Sequence, residues 1–103
     1  MPQYRIAQTG EVFPGKTRII QAGKKELVLC NVDGVYYCID NVCTHDEGPL
    51  GEGELMGDII ECPRHGAQFN VKTGEVMAMP AVVPISTYPV RVEGDQVVVT
   101  LEE

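Results

Sequence analysis

The 103-residue sequence has no tryptophan, two phenylalanines and two histidines, and its 8 Lys and Arg are outnumbered by 15 Asp and Glu. A formal net charge of −7 excludes the basic footprint by which proteins hold nucleic acids or anionic membranes. No run approaches the roughly 20 apolar residues of a membrane span. The start, Met1-Pro2-Gln3-Tyr4-Arg5, lacks the apolar stretch of an export signal. These absences predict a soluble, cytoplasmic chain with neither nucleic acid nor membrane as partner. No segment keeps a 3.6-residue apolar period for long, which excludes a helical bundle. No Gly-x-Gly-x-x-Gly run marks a flavin or nicotinamide site, so electrons that pass through this chain would come from another one.

What is present is an all-β rhythm. Short alternating apolar segments are punctuated by Pro14-Gly15, Ala22-Gly23, Asp33-Gly34, Gly57-Asp58, Thr73-Gly74 and Gly94-Asp95. The pattern predicts strands over 4–7, 17–21, 26–32, 35–40, 58–61, 68–70, 87–93 and 96–100, where β-branched and aromatic residues concentrate. One domain, residues 1–103, built as a small antiparallel sandwich or barrel, follows from the length and the pattern. Asp33-Gly34 is a strong hairpin signal, because a type I′ turn needs positive φ at both central positions. With Val32 opposite Val35, Cys30 falls opposite Tyr37 and Cys38 opposite Leu29, which turns the two thiols to different faces. Cys30 and Cys38 therefore read as buried thiols that do not bridge.

The other two cysteines stand beside the only histidines. Cys43-Thr44-His45 and Cys62-Pro63-Arg64-His65 are two short Cys/His pairs separated by the 16 residues from Asp46 to Glu61. Gly48, Gly51, Gly53 and Gly66 give the surrounding loops room for close approach. A structural zinc site would pair Cys with Cys and His with His, which this order fits poorly. A thiolate nucleophile needs one Cys and one His and leaves the duplication unexplained. A binuclear iron centre, in which two histidines replace two cysteines on one iron, matches the stoichiometry.

The C-x-H and C-x-x-H pairs, with Gly66, Phe69 and Thr73-Gly74 after them, resemble the signature of Rieske proteins, and the strand pattern resembles the small Rieske ferredoxins over nearly the whole chain. The resemblance implies a Rieske-like antiparallel β-sandwich with a cluster-binding subdomain inserted from about Asn41 to Met77. It implies one [2Fe–2S] cluster per chain held by Cys43, His45, Cys62 and His65, with the His-ligated iron nearest the surface. Gly48 and Arg64 stand where the membrane-complex branch of the family has a clamping disulfide. Ala67 and Phe69 stand where that branch has hydroxyl donors to the cluster sulfur. Hydrogen bonds to sulfur favour the reduced cluster, so their loss implies a midpoint in the lower part of the Rieske range, roughly −150 to 0 mV.

Asp46, Glu47 and Glu61 place carboxylates beside the ligands, and Met77-Ala78-Met79-Pro80-Ala81-Val82-Val83-Pro84 is an apolar, proline-bounded segment that similar proteins use to cover the cluster. No acid, base or nucleophile constellation appears elsewhere, so the expectation is an electron carrier and no enzyme. The resemblance further implies a monomeric ferredoxin component of an aromatic-ring-hydroxylating dioxygenase system. It would pass electrons from a flavin-containing reductase to a terminal oxygenase, docking at the His45/His65 tip. The alternatives are the small Rieske-like subunit of an assimilatory nitrite reductase and, more remotely, a structural zinc-binding module.

Overall fold

The run Leu27-Val28-Leu29-Cys30 has no polar member, a pattern that requires cover on both faces of a strand. In the computed structural model, which describes residues 2–43, 48–63 and 66–101, it has that cover. Eleven strands are described: β1 (Gln3–Gln8), β2 (Thr17–Ala22), β3 (Lys25–Val32), β4 (Val35–Asp40), β5 (Glu54–Met56), β6 (Ile59–Glu61), β7 (Gln68–Asn70), β8 (Val76–Ala78), β9 (Thr87–Tyr88), β10 (Val90–Glu93) and β11 (Gln96–Thr100). The one described helical element is a 3₁₀ turn, Leu50–Glu52. None is long and apolar enough to cross a membrane as a helix.

The strands form three antiparallel sheets in the orders β1-β11-β10, β2-β3-β4-β9 and β5-β6-β7-β8. Successive side chains of a strand point to opposite faces, and β3 uses both. Val28, Cys30 and Val32, with Ile39 of β4, join Leu55, Ile60 and Phe69 of the third sheet in one core. Leu27 and Leu29, with Cys38, join Val97 and Val99 of the first sheet in a second core. The middle sheet is thus packed on both sides, and all-β architecture holds throughout.

The β3–β4 hairpin has the register expected from its turn: Val32 faces Val35, Cys30 faces Tyr37 and Leu29 faces Cys38. Asp33 and Gly34 have φ of 52° and 90°. Cys30 and Cys38 lie in different cores, and none of the four cysteines, all described residues, is in a disulfide.

Two expectations are corrected. The segment predicted as one strand over 87–93 is two, because Pro89 lacks an N–H and breaks the ladder. β9 pairs with β4, while β10 leaves for β11 in another sheet. The three-residue strands β5 and β8 were not expected, being too short to show an alternation.

Burial pushes the Cys30 thiol up to about 12 and also raises that of Cys38, with smaller contributions from Cys30 and Asp40. An unfolded thiol titrates near 8.5. Above roughly that pH the unfolded chain releases protons that the folded chain retains, so this contribution to stability is complete below about pH 8.5 and is lost as pH rises toward 12. Each thiol should steepen the alkaline fall by up to about 1.4 kcal/mol per pH unit. Urea midpoints from about pH 8 to 11 should fall less steeply in Cys30→Ala than in the parent, and equal slopes would contradict the assignment.

Candidate metal centre

Cys43 follows β4 and Cys62 follows β6, so each thiol sits where a chain leaves a sheet. The two loops close alike. Cys43 N–H donates to the Gly48 carbonyl at 2.8 Å, and Cys62 N–H donates to the Ala67 carbonyl at 2.7 Å, each spanning five residues. Gly66 N–H returns a bond to the Cys62 carbonyl at 3.1 Å, and Gly66 has φ of 76°, a conformation that favours glycine. Each closed loop contains one of the two histidines.

Cys43 and Cys62 are 0% and 1% exposed and belong to the same core, with Leu50, Ile60, Ala67, Phe69, Ala81 and Ile85. The structure therefore brings together the two cysteines of the expected ligand set. His45 and His65 lie outside the described residues, as do Asp46, Glu47 and Arg64. Among the described residues no three metal-ligating side chains converge. Two buried thiols at the mouths of equal loops, each loop holding an imidazole, are a donor set suited to a [2Fe–2S] cluster with mixed ligation.

Glu61, next to Cys62, is half-buried, and its Oε2 accepts from Gln68 Nε2 at 2.8 Å. This carboxylate is therefore partnered across the β6–β7 pair. Ala67 and Phe69 are fully buried beside the thiols. The apolar segment after β8 alternates in exposure: Ala81 and Ile85 are buried in the core that holds the thiols, whereas Met79 and Val82 are 81% and 79% exposed. Met77 and Val83 are half-exposed, and the Met79–Pro80 peptide bond is cis.

Sequence reasoning missed the packing of the 3₁₀ turn between the two cysteine loops. Leu50 is fully buried with both thiols. A Cβ on Gly53 would stand 1.9 Å from the Glu61 carbonyl oxygen, so only glycine lets the chain pass the residue before Cys62. The sequence marks Gly53 as a place of close approach, but which backbone it meets depends on the folded chain.

The comparisons agree with this geometry. The Rieske [2Fe-2S] domain family matches residues 2–89. The ferredoxin component of biphenyl 2,3-dioxygenase from Rhodococcus jostii (strain RHA1) is 39% identical over 98 residues, covering 95% of this chain and 92% of that protein. The Sphingomonas yanoikuyae B1 ferredoxin superposes with a TM-score of 0.92 at 37% identity, over 98% of this chain and all of that one. The structure described as a complex of reduced oxygenase and oxidized ferredoxin in carbazole 1,9a-dioxygenase matches with a TM-score of 0.90 at 34% identity, over 97% of each chain. With a family match over most of the chain and dioxygenase ferredoxins among its relatives, the chain belongs to the Rieske [2Fe–2S] domain family.

Proposed function

We propose that the chain is a one-electron carrier, the ferredoxin component of a ring-hydroxylating dioxygenase system. Cys43 and Cys62 would hold one iron of the cluster and His45 and His65 the other, within a cluster-binding unit of residues 41–77 inside a single domain. The observation that supports this best is the pair of equal cysteine loops opening into one buried core, in a chain whose relatives are dioxygenase ferredoxins. When bound, such a cluster accepts and returns a single electron. The chain's own residues supply burial: Leu50, Phe69 and Ala81 keep water from the thiol side and hold the loops in place.

The proposed electron acceptor is a terminal oxygenase, as in the carbazole dioxygenase complex. The proposed donor is a flavin-containing reductase, and both are separate chains. Met77, Met79, Val82 and Val83 give the docking surface an apolar part, anchored from beneath by Ala81 and Ile85. A cytoplasmic, monomeric protein completes the proposal.

The test is the iron and acid-labile sulfide content of the purified chain, with visible and paramagnetic resonance spectra after reduction. About two irons and two sulfides per chain, with the low average g-value of mixed His/Cys ligation, is the expected result. A single zinc, or iron without sulfide, in protein prepared anaerobically with cluster assembly intact would refute the electron-transfer reading and favour a binding module.

A further inference from the structure

Asn41 is 5% exposed, one of two buried polar side chains among the described residues, and it stands two positions before Cys43. Its Nδ2 donates to Glu26 Oε1 at 2.6 Å, and its Oδ1 accepts from the Gly51 N–H at 2.7 Å. Its backbone N–H also donates to the Glu26 carbonyl, at 3.2 Å. An ionised carboxylate only accepts and a backbone amide only donates, so the two partners fix which way the Asn41 amide points.

The turn held by this amide has little freedom on its other sides. A Cβ on Gly51 would stand 2.3 Å from Ile19 Cγ1 of β2, so the turn lies directly on the middle sheet. Leu50 is sunk into the core with both thiols, and Gly53 lies against the Glu61 carbonyl, one residue before Cys62. A continuous line of contacts thus runs from Glu26 on β3 through Asn41, the 3₁₀ turn and Glu61 to Cys62. It joins the segment that leads into one cysteine loop to the strand that leads into the other.

We propose that Asn41 is a positioning residue for the metal centre, pinning the 3₁₀ turn between the two cysteine loops and so fixing how Cys43 and Cys62 are presented to one cluster. This rests on the Rieske reading above. Removing the Asn41 amide leaves the Gly51 N–H and the Glu26 carboxylate without these partners and frees the turn that separates the loops. Residues that orient metal ligands typically change metal retention about 10–100-fold when lost, whereas a residue important only for stability changes melting without changing the centre.

The experiment compares the cluster-loaded parent with Asn41→Ala, Glu26→Ala and Glu26→Gln. It records melting temperature, the g-values of the reduced cluster, and the rate of iron loss to a chelator well below melting. Asn41→Ala and Glu26→Ala should shift the g-values and lose iron at least about tenfold faster. Glu26→Gln, whose side-chain oxygen still accepts from Asn41, should keep the parent's values.

Lower melting temperatures with unchanged g-values and loss rates would overturn the proposal, as would a Glu26→Gln protein that behaves like Glu26→Ala. Should Asn41→Ala fail to fold, the two exposed-site Glu26 variants decide the matter alone. A parent that assembles no [2Fe–2S] cluster would overturn the Rieske reading itself, and this proposal with it.

Discussion

Cys62→Ala is expected to purify colourless, with iron and sulfide reduced to a small fraction of the parent's. The side chain is 1% exposed and shares its core with Cys43, so no solvent ligand stands ready to replace it. Its backbone meanwhile holds the 62–67 loop closed through Ala67 and Gly66. Alanine keeps those backbone bonds and removes only the sulfur, so the substitution tests ligation rather than loop geometry. Replacing His45 should have the same effect or convert the centre to another type, since the proposed His-ligated iron would lose one of its two protein ligands. Cys30→Ser is the control. It buries a hydroxyl in place of a thiol on β3, at a cost of about 1–3 kcal/mol, and should leave the visible spectrum unchanged. Full iron and sulfide retained in Cys62→Ala would disprove the assigned ligand set.

Phe69→Ala should produce the largest loss of stability from a side chain that ligates nothing. Phe69 is fully buried on β7 opposite Ile60, in the cluster of residues that includes Cys43 and Cys62. Removing a buried aromatic ring forfeits its transfer free energy and leaves a cavity, together about 3–5 kcal/mol. A domain of this size is stable by only about 5–15 kcal/mol, so the variant should melt more than about 12 °C below the parent. The measurement is urea unfolding of parent and variant in the same metal state. A difference under about 1 kcal/mol would show that the third sheet does not depend on this ring.

How far the sequence determines these features differs by element. Asp33-Gly34 specified the β3–β4 register residue by residue, because a two-residue turn leaves no slack. That register in turn placed Cys30 and Cys38 on opposite faces, in two different cores. The proposed ligand pattern was drawn from the sequence because metal chemistry demands particular side chains at short spacing; of its four members the structure brings Cys43 and Cys62 into one core, while His45 and His65 lie outside the described residues. Pro89 was visible as a residue, but its effect, sending β9 and β10 into different sheets, depends on which edges are free. The role of Asn41 was not legible, and Gly53 was legible as a place of close approach but not its partner, since Glu26, Gly51 and Glu61 are brought to these residues only by the folded chain.

The pairing of β1 with β11 has a kinetic consequence. Gln3 faces Thr100, so the first sheet closes only when nearly the whole chain has been gathered. The third sheet is a meander whose neighbours in space are neighbours in sequence. Loop-closure entropy grows with the logarithm of the enclosed length, which sets the β1–β11 contact about 2–3 kcal/mol above a tight hairpin before any contact compensates for it. Folding should therefore begin in the local hairpins, including those that present the cysteines, and finish by docking the two ends of the chain.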